Sequence, residues 1–112
     1  MDNTVILIPG YGMGNADKEL QLILFGKYLE ILSQNESLPA ALCFYTDGVK
    51  LLCEGSPVLA QLRTIEEKGV RLIICSTCLN YLDLTEKVRA GIVGGMGDIV
   101  EAQIKADRVI TI

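Results

Sequence analysis

Val70-Arg71-Leu72-Ile73-Ile74-Cys75-Ser76-Thr77-Cys78 decides the fold. Its first five residues are apolar but for Arg71, with Gly69 before them and polar Ser76-Thr77 beyond Cys75, the pattern of a strand buried on both faces. A strand of that kind belongs to a parallel sheet covered by helices. Cys75 and Cys78 then fall where the strand ends and a helical turn begins. Ligands of open parallel sheets bind outside the carboxyl ends of the strands, and the unpaired N–H groups of a helical start favour a thiolate there.

Working outward, Thr4-Val5-Ile6-Leu7-Ile8, closed by Pro9-Gly10, and Ala41-Leu42-Cys43-Phe44-Tyr45, closed by Thr46-Asp47-Gly48, have the same continuous apolar character. Ile92-Val93 supplies a brief further strand and Arg108-Val109-Ile110-Thr111-Ile112 a closing one. The longest helix is predicted from Asp17 to Gln34, capped by Asn15 or Asp17. It is apolar at Leu20, Ile23, Leu24, Ile31 and Leu32 and again along Leu22, Phe25 and Leu29, which leaves little polar face. One side is expected on the sheet, and the stripe Leu22, Phe25 and Leu29 between subunits. Ser56-Pro57 starts a second helix with Val58, Leu62 and Ile65 inward, and Gly69 stops it. Asp83-Leu84-Thr85-Glu86 and Asp98-Ile99-Val100-Glu101 carry capping-box spacing, for a short helix ending at Gly91 and for a last one. Val49–Cys53 fits either a short strand or a turn of helix. Strands alternating with helices at this spacing predict one α/β domain over 1–112, a five-stranded, mostly parallel sheet with helices on both faces.

Composition narrows the function classes. Half of the 112 residues are hydrophobic, and the mean hydropathy of +0.38 is high for a small domain, which directs the excess apolar surface to a subunit interface and predicts a homo-oligomer. No apolar run is long enough to span a bilayer, and Asp2 and Asn3 do not fit a signal-peptide start, so a cytoplasmic protein is expected. A net charge of −4 without a basic cluster argues against nucleic acid and anionic membranes as partners. With no histidine, chemistry rests on the four cysteines, the carboxylates and backbone dipoles.

The pair Cys75/Cys78 is the candidate catalytic group. A thioredoxin-type motif would follow the first strand and be joined by a later proline, and no proline follows Pro57. A zinc site would have to recruit Cys43 and Cys53, which stand singly, so no metal is expected, and nothing calls for a cofactor. Cys43 and Cys53 read as small apolar core residues. Cys78 is placed best: N–H groups near Leu79 and Asn80 are expected to lower its pKa and to hold a thiolate or a persulfide anion, which makes Asn80 a substrate-binding candidate. Gly10-x-Gly12-x-Gly14 joins a strand to a helix but fails the dinucleotide spacing, its third glycine coming one residue early. Its expected use is a tight backbone wall beside the cysteines, with Gly12 and Met13 touching substrate.

Gly12-Met13-Gly14-Asn15, Asp47-Gly48-Val49-Lys50-Leu51, Glu54-Gly55-Ser56-Pro57-Val58-Leu59, Glu66-Glu67-Lys68-Gly69-Val70 and Cys75-Ser76-Thr77-Cys78-Leu79-Asn80-Tyr81 together resemble the DsrE/DsrF-like sulfurtransferase family. The nearest branch is the C-terminal domain of YedF-type selenium-metabolism proteins. Ser76, where a glycine is usual, and Gly95, where asparagine is expected, depart from it. The resemblance implies a three-layer α/β/α fold, subunits assembled as dimers, trimers or larger rings, and a cysteine at Cys78 that carries sulfane sulfur as a persulfide, with Cys75 resolving it. It also implies sulfur donor and acceptor proteins as partners. The sulfur-carrier domain that precedes this one in YedF-type proteins is missing here, so a small sulfur-carrier protein is expected from another chain. The alternative is a non-catalytic oligomeric module that binds a small ligand in its glycine loops.

Overall fold

A computed structural model describes residues 3–112, so Asp2, part of the N-terminal reading, lies outside the described residues. Five strands, β1 (Thr4–Ile8), β2 (Ala41–Phe44), β3 (Arg71–Cys75), β4 (Ile92–Gly94) and β5 (Arg108–Thr111), form one all-parallel sheet in the order β4-β3-β2-β1-β5. β1 and β2 are buried along their whole length, as continuous apolar runs require when both faces are covered.

Four α-helices complete the layers: α1 (Lys18–Gln34), α2 (Leu59–Glu67), α3 (Ser76–Tyr81) and α4 (Met96–Lys105). α1 packs on the face that carries Ile6 and Ile110, with α2 beside it through a Gln61 amide donating to the Gly26 carbonyl at 3.2 Å. α4 lies over the opposite face, near Val5 and Arg71. Register keeps Leu7, Cys43 and Ile73 in line, so these share a face, with Cys75 two residues further along β3. No helix among the described residues is long and apolar enough to cross a membrane.

Four expectations are corrected. Phe25 and Leu29 are 0% and 1% exposed inside the single chain, packed into the core, while Leu20, Ile23, Leu24 and Ile31 of the other stripe stand in solvent. The outer face of α1 is therefore the Leu20/Ile23/Leu24/Ile31 stripe, and only Leu22 of the predicted interface residues is even partly exposed. The segment from Asp83 holds no α-helix but a 3-10 turn, Thr85–Lys87. Asp83 itself takes φ +57°, the left-handed conformation that ends α3, so it cannot cap a following helix. The last helix starts two residues before Asp98: Gly95 is its cap, and Asp98 reaches back to accept from the Gly95 N–H at 2.8 Å. α2 likewise starts after Val58, with the Ser56 hydroxyl accepting from the Val58 N–H at 3.3 Å. Val49–Cys53, left open above, falls largely within a 3-10 helix over Thr46–Leu52.

Candidate functional site

β2 and β3 are neighbours, so the turn after one and the helix after the other meet at the carboxyl edge of the sheet. The Cys75 backbone is the cap of α3, and Cys78 is the third residue of that helix. Cys75 is 1% exposed; Cys78 is the half-buried one, and Cys43 and Cys53 are buried. All four are free thiols, and those of Cys75 and Cys78 lie against each other.

The partner of Cys78 comes from the turn that follows β2. Thr46, the residue that opens the 3-10 helix, donates its backbone N–H to the Cys78 sulfur at 3.1 Å. It does so from φ +49°, a conformation a β-branched residue rarely adopts, and such strain collects where a backbone group must be aimed. The end of β1 holds it there. The Thr46 hydroxyl donates to the Pro9 carbonyl and lies 2.7 Å from that of Tyr45, while the Gly48 N–H reaches the same two oxygens at 3.2 and 3.0 Å.

Around Cys78 opens a largely apolar hollow of about 330 Å³ lined by Thr46, Asp47, Thr77, Cys78, Tyr81 and Leu82. Tyr81 is 89% exposed at its rim. Burial pushes the Cys78 thiol above its ordinary pKa; the Thr46 N–H opposes this, and Cys75 adds to the rise. The expected lowering by the N–H groups of its own helical turn is thus corrected. Cys78 sits inside α3 and not ahead of it, and the donor it meets is Thr46. Burial raises Cys43 to about 11 against the pull of Arg71, and raises Cys53 against Arg89.

Of the other candidates, Asn80 is exposed and its amide oxygen accepts from the Thr85 hydroxyl at 2.9 Å, which ties α3 to the turn after it. Gly12 and Met13 face α1: a Cβ at Gly12 would run into the Gln21 carbonyl, and the Met13 N–H donates to that oxygen at 3.0 Å. None of these three lines the hollow at Cys78. Thr46 and Asp47, not singled out as site residues above, do line it. Their one signal in the sequence is a polar pair ending an apolar strand, which becomes informative once β2 is known to flank β3.

The model of the DsrE/DsrF-like family matches residues 4–112. The chain belongs to the DsrE/DsrF-like family. The solved structures that share this DsrE-like fold include the ychN protein of E. coli, at 21% identity over all of both chains with a TM-score of 0.72. MTH1491 of Methanobacterium thermoautotrophicum, a protein of unknown function, is 22% identical over 97% of each chain, with a TM-score of 0.72. BT1422 of Bacteroides thetaiotaomicron, also of unknown function, is 12% identical over 98% of this chain and 95% of its own, with a TM-score of 0.71. At these identities the likeness is one of fold. No curated protein matches the chain significantly.

Within this DsrE-like fold, the four thiols differ in access. Brief iodoacetamide treatment of the native protein should label Cys78 first, with the buried Cys75, Cys43 and Cys53 following on unfolding. Because the reactive form is the thiolate and the pKa of Cys78 is raised, its labelling should be slower at neutral pH than that of a free cysteine. It should keep rising about tenfold per pH unit where an ordinary thiol, of pKa about 8.5, has levelled off. Peptide mapping across pH checks both; a plateau at or below that pH would contradict the burial argument.

Proposed function

We propose that the chain is a sulfur-transfer or sulfur-carrier subunit in which Cys78 holds sulfane sulfur as a persulfide. One observation carries this reading: among the described cysteines Cys78 alone is not buried, and it lines a hollow at the carboxyl edge of the sheet while a fixed backbone N–H, that of Thr46, points at its sulfur. An N–H so aimed stabilises negative charge on sulfur without needing a basic side chain. The Cys78 thiolate attacks the outer sulfur of a donor persulfide, forming a new S–S bond as the donor's S–S bond breaks and its inner sulfur leaves as a thiolate. An acceptor thiolate repeats the exchange on the outer sulfur of Cys78. Where no acceptor arrives, the Cys75 thiol attacks the inner sulfur, giving a Cys75–Cys78 disulfide and hydrogen sulfide. The i, i+3 spacing and the apposition of the two thiols support this role for Cys75.

The reading extends to a cytoplasmic homo-oligomer near the YedF-type branch, working with sulfur or selenium, with a donor, an acceptor and a small sulfur-carrier protein as partners. The exposed apolar residues of α1 and α4 support the assembly. Incubation with inorganic polysulfide followed by intact-mass spectrometry should show increments of about 32 Da that disappear on reduction and in Cys78→Ser. No increment on the native protein would favour the non-catalytic binding module.

A further inference from the structure

Beside the hollow at Cys78 lies a second one, of about 400 Å³, lined by Tyr11, Lys18, Lys50, Cys53, Glu54, Gly55, Leu82 and Leu84. The two share Leu82 as a wall. An ion pair joins their rims, since Asp47 of the first hollow meets Lys50 of the second at 2.9 Å. The charge of the second hollow runs against that of the chain. Two ammonium groups face it in a protein of net charge −4, that of Lys50 shared with Asp47, and its one carboxylate, Glu54, is engaged by Lys87 at 3.6 Å and Arg89 at 3.3 Å. Lys18 has no carboxylate partner among the described residues; its ammonium lies 4.8 Å from the centre of the Tyr11 ring, which keeps it over the hollow. Leu82, Leu84 and Gly55 supply the uncharged remainder.

We propose that this second hollow seats a carboxylate of the sulfur donor, so that the donor is a small carboxylate-bearing persulfide bridging Lys18/Lys50 and Cys78. The proposal rests on the reading of Cys78 as sulfur acceptor and names the substrate class for it. Each hollow is the size of a small-molecule subsite, and a cysteine-derived persulfide places its carboxylate and its outer sulfur at opposite ends of a short stem. The exchange itself is unchanged: the donor's S–S bond breaks, Cys78 gains the outer sulfur, and the donor leaves as its thiolate with no net oxidation. The lysines contribute by positioning the donor. A chain of net negative charge would otherwise repel an anion, so a preference for an anionic donor has to come from this local cluster.

The test compares N-acetylcysteine persulfide with N-acetylcysteamine persulfide, which lacks only the carboxylate, by rapid-quench intact-mass measurement of Cys78 loading. The carboxylate donor should load with a kcat/KM about threefold higher, one new exposed ion pair to Lys18 of roughly 0.7 kcal/mol amounting to that factor, since Lys50 is already paired with Asp47. In Lys18→Gln/Lys50→Gln the ratio between the donors should fall to about one, and raising the salt should lower it in the native protein. A ratio near one in the native protein, or a ratio unmoved by the double substitution, overturns the subsite. If neither donor loads Cys78, the sulfur-carrier reading fails first.

Discussion

Gly48→Ala should cost about 3 kcal/mol or more of stability and lower the melting temperature by roughly 10–15 °C. Gly48 is buried, and a Cβ on it would run into the Ile8 carbonyl oxygen, a backbone atom at the end of a fully buried strand that cannot swing aside. The 3-10 helix has to move off β1 to make room. That breaks the Gly48 N–H contacts to Pro9 and Tyr45 and withdraws the Thr46 N–H from Cys78. Thermal unfolding reads the first effect, and the Cys78 labelling profile against pH reads the second, as a further upward shift, because the loss of a donor to sulfur disfavours the thiolate. A melt within two or three degrees of the native protein would mean that the 3-10 helix does not press on β1 as described.

Phe25→Glu should abolish folding of the chain altogether. The ring is 0% exposed, so the substitution removes an aromatic from the core, worth about 3–5 kcal/mol, and adds an unpaired carboxylate in its place. Against a total stability of about 5–15 kcal/mol the chain does not survive both. Ile23→Glu, two residues earlier on the same helix, is the contrast. Ile23 is 49% exposed, and the change should cost no more than about 0.5 kcal/mol in an isolated subunit while disrupting any assembly built on that face of α1. Urea unfolding and light scattering on the two variants separate core from surface; a soluble, cooperatively folding Phe25→Glu protein with altered subunit number would restore the inverted assignment.

That inversion shows where sequence reading reaches its limit. The strands were legible because burial on both faces leaves an unbroken apolar run, as in Thr4–Ile8 and Ala41–Phe44. α1 is apolar nearly all round, so its periodicity marks a helix without saying which stripe meets the sheet; that is settled by the sheet, which takes Phe25 and Leu29. The Asp-x-x-Glu spacing at Asp83 is local and says nothing of the left-handed backbone that α3 imposes there. Cys78 could be picked out from strand end and spacing. Its environment could not, because the N–H it meets belongs to Thr46, 32 residues away in the chain, and its burial depends on how α3 lies over that turn.

The sheet order also bears on the birth of the protein. β1 sits between β2 and β5, and Thr4 pairs with Arg108. On a ribosome, β1 and β2 can dock early, yet one side of β1 keeps its backbone donors and acceptors open until β5 has been made, some seconds later at ordinary rates of synthesis. For that interval the nascent chain presents an apolar template on which a stray strand can add. A chaperone that shields the Thr4–Ile8 edge until β5 has been made would then bear on yield, alongside the final stability.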